Sequence, residues 1–191
     1  MREIASRGQL RLAYLRWAVV TVPFILLIGF TSARLLPTGS QNRWYAALVK
    51  PEGMPPEWAF PAAWSAIYIF LGLALAMIIN ARGSTLRGPA IVVFAVLMGG
   101  NFLWPLVFFG MHLLFWSLVL MGVLFTLGLV TALLFGRIRI GAGLLLLPYL
   151  AWIAYAAFLL NQIQTLNPAA ESLVPSGSAV QMEIPEAGNA Q

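Results

Sequence analysis

The chain has 191 residues, of which 61% are hydrophobic and only 9% charged, where a soluble globular domain carries about 25% charged residues. That composition excludes a soluble domain and indicates an integral membrane protein, and the absence of cysteine excludes disulfides, thiolate metal sites and cysteine nucleophiles. The net charge of +5 follows membrane topology and needs no nucleic-acid partner.

Residues 1–13 form a basic N-terminal segment carrying Arg2, Arg7 and Arg11. The charge-free run between Arg16 and Arg34 predicts a first span over 14–34. Its end, Thr31-Ser32-Ala33, has the small residues of a signal-peptide cleavage site, but the apolar run is longer than a signal core. A loop over 35–60 follows, crowded with Trp44, Tyr45 and Trp58, and four prolines, Pro51, Pro55, Pro56 and Pro61, fall within the eleven residues 51–61 at its end. Proline fixes its own φ and pushes its predecessor out of the helical region, so this loop reads as a stiff aromatic lid. A second span is expected over 60–80. The charge-free run 88–136 is 49 residues long, whereas one crossing takes about 20, so it folds back once. The turn is placed at Gly110-Met111-His112-Leu113, giving spans over 89–109 and 113–135. A fifth span is expected over 140–164. Past Asn167 the chain turns to Pro, Ala, Ser, Gly, Gln and three glutamates without an apolar period, which predicts a disordered tail over 168–191. The fold class is therefore an all-α membrane protein, a five-transmembrane-helix bundle over 14–167. The runs lack the short alternating segments of a barrel.

Five spans put the termini on opposite sides. The N-terminal side collects Arg2, Arg7, Arg11, Arg16, Arg82, Arg87, Arg137 and Arg139, against Arg34, Arg43 and Lys50 on the other. The positive-inside rule places the N-terminus in the cytoplasm and the lid and C-terminus outside, in a bacterial cytoplasmic membrane.

The six acidic residues are Glu3, Glu52, Glu57 and three in the tail. With no ionisable group inside a span, proton pumping and ion-coupled antiport are disfavoured. No metal-ligand cluster, nucleophile–base pair or phosphate-binding loop is present. The spans instead carry aromatic and amide side chains at helical spacing: Phe60, Trp64 and Tyr68 on the second, Asn101, Trp104 and Phe108 on the third, Tyr149, Trp152 and Ala156 on the fifth. Each set lies on one helix face, so three helices can point aromatic faces at one interior. Trp17, Trp58 and Trp116 fit an interfacial belt, while Trp64 and Trp152 fit either belt or pocket. An unpaired amide in hydrocarbon costs ~2 to 7 kcal/mol, so Asn101 is an interhelical hydrogen-bond former or a pocket group. His112 reads as a solvated turn residue, with axial haem ligation the lesser alternative.

These residues carry a resemblance. Trp44-Tyr45, Leu48, Lys50-Pro51, Pro55-Pro56, Trp58, Phe60-Pro61, Trp64 and Tyr68, then Asn101, Leu103-Trp104 and Phe108-Phe109-Gly110, then Pro148-Tyr149, Trp152 and Leu160-Asn161 resemble the TspO/MBR family of tryptophan-rich sensory and translocator proteins. The resemblance covers residues 40–167 in order. It implies a five-helix protein, commonly a homodimer in the lipid bilayer, that binds porphyrins and other flat hydrophobic ligands in a pocket beneath the first loop. The family's pocket residues match Trp64, Tyr68, Asn101 and Trp152, and Trp44, Lys50, Trp104 and Tyr149 complete the expected ligand-binding set. No cofactor is required on this reading, and protoporphyrin or haem enters as ligand.

The chain also departs from the family. Gly53 stands where an aromatic is usual, which would thin the lid, and Leu97 stands where a glutamine is frequent, which would remove a polar contact to ligand. No basic residue follows Arg139, so the short sterol-contact motif is missing from the fifth span. Ala95 and Gly99, at i and i+4, allow close helix approach and give modest support to dimerisation. A tetrapyrrole offers a flat π surface with carboxylate edges, so Trp64 and Trp152 are the expected stacking faces and Arg43 and Lys50 the expected carboxylate partners. Three functional classes follow. The first is a ligand-binding protein in tetrapyrrole handling, transport or stress sensing. The second is a light- and oxygen-dependent porphyrin-degrading enzyme using Trp64 and Trp152, and the third a structural membrane partner without ligand.

Overall fold

The computed structural model describes residues 7–173; what was expected of residues 1–6 and 174–191 lies outside the described residues. Helix α1 spans Arg7–Arg34, beginning inside the basic segment assigned to 1–13. The lid carries a 3₁₀ turn, Gly39–Gln41, and a short helix α2, Arg43–Ala47. Helix α3 covers Ala59–Asn80 and α4 covers Arg87–Pro105, continued by a π-helical turn over Leu106–Gly110. Helix α5 runs Leu114–Ile138, α6 Ile140–Leu144 and α7 Leu147–Leu166. Five helical stretches are long and apolar enough to cross a membrane, and no strand occurs among the described residues. The protein is an integral, multi-pass, all-α membrane protein.

Proline explains most of the local departures. Pro61 lies in the first turn of α3, where its missing N–H costs nothing. Pro105 removes the donor that would hold the next turn to the Asn101 carbonyl, and the chain beyond it winds wider, with Met111 N–H bonding to the Leu106 carbonyl at 2.9 Å. Pro148 sits in the first turn of α7, and the last span breaks between α6 and α7 instead of running straight. The predicted turn at His112 is present, and His112 itself has a φ of +59°.

Around the bundle the helices follow the order α1, α3, α6 with α7, α5, α4. Glycines set how closely they approach. A Cβ at Gly72 would lie 2.6 Å from the Val22 backbone, and one at Gly29 would enter the Tyr68 ring, so α1 and α3 are zipped along their length. Thr21 Oγ1 seals that seam by donating to the Gly72 carbonyl at 2.7 Å. Ser32 Oγ donates across to the Phe102 carbonyl of α4 at 2.8 Å. Gly128 lets the Tyr149 ring lie on α5, and Gly143 lets α6 meet Gly136 and the Ala132 carbonyl. The outer surface is apolar, with Val92, Val96, Leu103 and Leu133 exposed, as a lipid-facing surface requires.

Residues 168–173 correct the expected tail. Ala170–Ser172 form a 3₁₀ turn with Ala170 1% exposed, packed beneath the lid. The Trp44 indole N–H ties the segment to the lid by donating to the Ala170 carbonyl.

The α1–α3 zipper makes a prediction. Gly72→Ala should lower the apparent melting temperature of detergent-solubilised protein, a loss of roughly 1 to 3 kcal/mol from overpacking. Gly122→Ala, whose Cβ meets nothing within 4 Å, should not shift it; thermal scans of tryptophan fluorescence check both.

Candidate functional site

Beneath the lid lies a cavity of about 420 Å³ lined by α1, the lid, α3, α4 and its π turn, α5 and α7. Its walls are mainly aromatic. Helix α3 contributes Phe60, Trp64 and Tyr68; α4 and the π turn contribute Trp104, Phe108 and Phe109; α7 contributes Trp152. The ring centroids of Trp64 and Tyr68 are 5.2 Å apart, those of Phe60 and Trp152 5.8 Å, and Trp104 stacks on Phe108 at 5.0 Å with planes 15° apart. The i, i+4, i+8 spacing on α3 and the i, i+3, i+7 spacing on α4 turn these side chains to one side.

Polar groups are few and placed at two levels. Deep in the bundle, Asn101 Nδ2 donates to the Leu97 carbonyl at 2.9 Å and to the Tyr149 hydroxyl oxygen at 3.1 Å. This strut ties α4 to α7 and leaves the Asn101 side chain on the cavity wall. At the mouth stand Lys50 and Glu57. Lys50 Nζ donates to the Tyr45 carbonyl at 3.2 Å and lies 4.7 Å above the Tyr45 ring, while Glu57 accepts from Ser40 Oγ at 2.9 Å. Burial, with the Glu57 carboxylate adding a smaller effect, pushes the Tyr45 phenol up to about 12, so it stays neutral at any physiological pH. Among the described residues no cluster of three His, Cys, Asp or Glu side chains could hold a metal.

The lid is fastened by side-chain amides. Asn42 caps α2 by accepting from Tyr45 N–H at 3.0 Å, and its Nδ2 donates to the carbonyls of Pro37 at 3.1 Å and Phe109 at 3.0 Å. Asn167 grips Val49 from both sides, its Oδ1 accepting from Val49 N–H and its Nδ2 donating to the Val49 carbonyl, each at 2.8 Å. The Trp44 indole donates to the Ala170 carbonyl at 2.8 Å and stacks on the His112 ring at 4.5 Å.

Of the eight residues expected to bind ligand, Lys50, Trp64, Tyr68, Asn101, Trp104 and Trp152 line the cavity. Trp44 and Tyr149 do not. Trp44 is 1% exposed and Tyr149 0%; the first is a pin for the lid, the second the outer half of the Asn101 strut. His112, expected to be solvated, is held against Trp44. Arg43 is exposed and off the cavity wall, which removes it as a carboxylate partner there. Leu97 is fully buried in the helix core and away from the cavity, so the amide absent there takes nothing from the cavity wall. Gly53 does not line the cavity either. Its φ of +82° and the Met54 N–H to Pro51 carbonyl bond at 3.3 Å make it the third residue of a type II turn, a place that favours glycine over an aromatic. The turn brings Met54 to the inner face of the lid, where the Tyr45 hydroxyl donates to its sulfur at 3.7 Å.

Sequence reasoning missed the contribution of α1, whose Gly29, Phe30, Ser32 and Ala33 complete the wall. The signal was available: Ala18, Thr21, Ile25, Gly29 and Ser32 recur every three or four residues, and all are buried.

The sequence model of the TspO/MBR family matches residues 19–166. The chain belongs to the TspO/MBR family. Over 144 residues it is 35% identical to the tryptophan-rich protein TspO of Chlorobaculum tepidum, covering 75% of this chain and 90% of that relative. It is 33% identical to the protein CrtK of Rhodobacter capsulatus over 130 residues, 68% of this chain and 81% of the relative. The translocator protein of Bos taurus is 31% identical over 150 residues, with 72% and 87% covered. The family match spans the bundle from within α1 to the end of α7, and it includes every element that lines the cavity of this TspO/MBR protein.

The double grip of Asn167 on Val49 makes a second prediction. Asn167→Ala hands the exposed N–H and carbonyl of Val49 to water, a net loss of about 0.5 to 1.5 kcal/mol for each bond. Cleavage after Glu52 or Glu57 by a glutamate-specific protease should become several-fold faster, read by gel against the parent protein.

Proposed function

We propose that this TspO/MBR protein binds porphyrin-like or other flat hydrophobic ligands in the cavity beneath its lid and acts in tetrapyrrole handling, transport or sensing. The observation that carries the reading is the convergence of ring side chains from α3, α4 and α7 on one cavity of about 420 Å³, inside the roughly 300–1,000 Å³ usual for small-molecule sites. A flat π system gains most from such walls, each aromatic pair contributing about 0.5 to 1.5 kcal/mol beyond area burial. Lys50 at the mouth supplies a cation for a carboxylate edge, and Trp64 and Trp152 supply the faces. The names of relatives attach sensing to the tryptophan-rich sensory protein of Cereibacter sphaeroides and translocation to the bovine protein. Helices α3 to α7 contain no Asp, Glu, Lys, Arg or His in their central turns, so ligand movement on this reading runs downhill or depends on a partner.

The arginine bias supports an orientation with the end bearing Arg82, Arg87, Arg137 and Arg139 in the cytoplasm and the lid outside, in a bacterial cytoplasmic membrane. Two copies pair through the outer face of α4, where Ala95 and Gly99 are exposed and small enough for close helix approach.

The test is a protoporphyrin titration of purified protein in detergent, followed by tryptophan fluorescence. Binding should saturate, and Trp64→Ala should raise Kd about tenfold, the equivalent of ~1.4 kcal/mol. Unchanged affinity in a Trp64→Ala, Trp152→Ala double variant would remove the cavity assignment, and no binding by the parent protein would leave the structural reading. A new absorbing product on illumination of the complex would move the assignment to a porphyrin-degrading enzyme.

A further inference from the structure

We propose, building on the ligand-binding reading above, that ligand enters the cavity sideways from the bilayer through the seam between α3 and α7, with the Trp152 indole as the gate. A second hollow of about 370 Å³ lies on the outside of that seam. Its walls include Ala63, Ala66 and Phe70 of α3 and Ala151, Trp152 and Tyr155 of α7. Among the described residues Trp152 alone lines both this groove and the inner cavity. One indole is therefore the partition between them. It stands near the middle of the last span, Ile140–Leu166, so the groove opens at hydrocarbon depth, where a flat apolar solute dissolves.

The manner of closure differs around the cavity. The lid is held by the two Asn167 bonds to Val49, the Asn42 bonds to Pro37 and Phe109 and the Trp44 bond to Ala170. The α1–α3 seam is closed by backbone-close contact at Gly72 and by the Thr21 bond. The α5–α7 seam is closed by Tyr149 lying on Gly128. Between α3 and α7 the helices touch only sparsely, and the small side chains of Ala63, Ala66 and Ala151 stand in the groove beside Ile67, Phe70 and Pro148. The Trp152 indole N–H makes no hydrogen bond within the described residues, unlike those of Trp44 and Trp104. Packing alone holds its ring, including an edge contact with Phe60 at 5.8 Å and a tilted one with Tyr155 at 5.9 Å. Swinging Trp152 joins groove and cavity without breaking a hydrogen bond, whereas opening the lid breaks several.

The experiment uses the full chain in phosphatidylcholine nanodiscs with protoporphyrin as probe, and reads equilibrium Kd by titration and both rate constants by stopped-flow fluorescence. Ala66→Phe and Ala151→Phe fill the groove from outside, beyond the inner wall. Association and dissociation should both slow by about fivefold or more while Kd stays within about twofold, because a gate changes rates and leaves affinity alone. Because the chain has no cysteine, Ala151→Cys offers a second obstruction that needs no refolding: a bulky maleimide added after purification should slow both rates of the same sample. Asn167→Ala, which loosens the lid, should leave the rates unchanged. Faster exchange in Asn167→Ala together with unaltered rates in the groove variants and in the maleimide-labelled sample overturns the proposal in favour of entry through the lid. Absence of equilibrium binding in the parent protein instead overturns the ligand-binding reading, and the gate with it.

Discussion

Irregular backbone cannot lie against an apolar bundle unless something pairs its N–H and carbonyl groups; here two asparagines, Asn42 and Asn167, do so for the lid, and a third, Asn101, ties together two helices beneath it. Asn42 pairs with backbone of the lid and of the π turn, Asn101 joins α4 to α7, and Asn167 pairs both backbone groups of Val49. An amide suits this work because one short side chain donates and accepts in the same plane. Each asparagine sits where two segments distant in sequence meet, and together they fix the roof of the cavity to its walls.

The empty space beneath that roof follows from where the helices can and cannot approach. Glycines bring α1 onto α3, α6 onto α5 and α7 onto α5, which draws three seams tight at different heights. The large rings of α3, α4 and α7 prevent the same collapse in the half of the bundle beneath the lid. The tryptophans then divide by their indole N–H groups. Trp44 and Trp104 donate to the backbone and serve as fixed struts. Trp64 and Trp152 face the cavity without such a bond, so their orientation is set by packing alone. Rings held only by packing can adapt to a ligand at little cost, and this is where a flat hydrophobic molecule would need them to.

The spans were legible because hydrocarbon imposes a length and excludes charge, and four of the five kept both ends within a few residues of the expected ones. Trp64, Tyr68, Asn101, Trp104 and Trp152 were legible as a converging set because helical periodicity alone fixes which side chains share a face. Trp44 and Tyr149 were assigned to the ligand because aromatic character does not say which side of a wall a ring occupies. Gly53 and Leu97 illustrate the same gap: one answers to a backbone φ and the other to the helix core, and neither constraint is visible in residue type.

The sequence by itself determined a five-span helical bundle, its uneven distribution of arginine, and a chain too poor in ionisable and nucleophilic groups for hydrolytic chemistry. These are properties of composition and local period, which survive without knowledge of any partner residue. Only the tertiary structure decided that residues 168–173 pack under the lid, that α1 supplies part of the cavity wall, and that Trp152 lines both the cavity and the outer groove. Each of those depends on contacts between segments far apart in the chain, such as Trp44 with Ala170 and Asn101 with Tyr149, and such pairings are fixed only when the helices have taken their places.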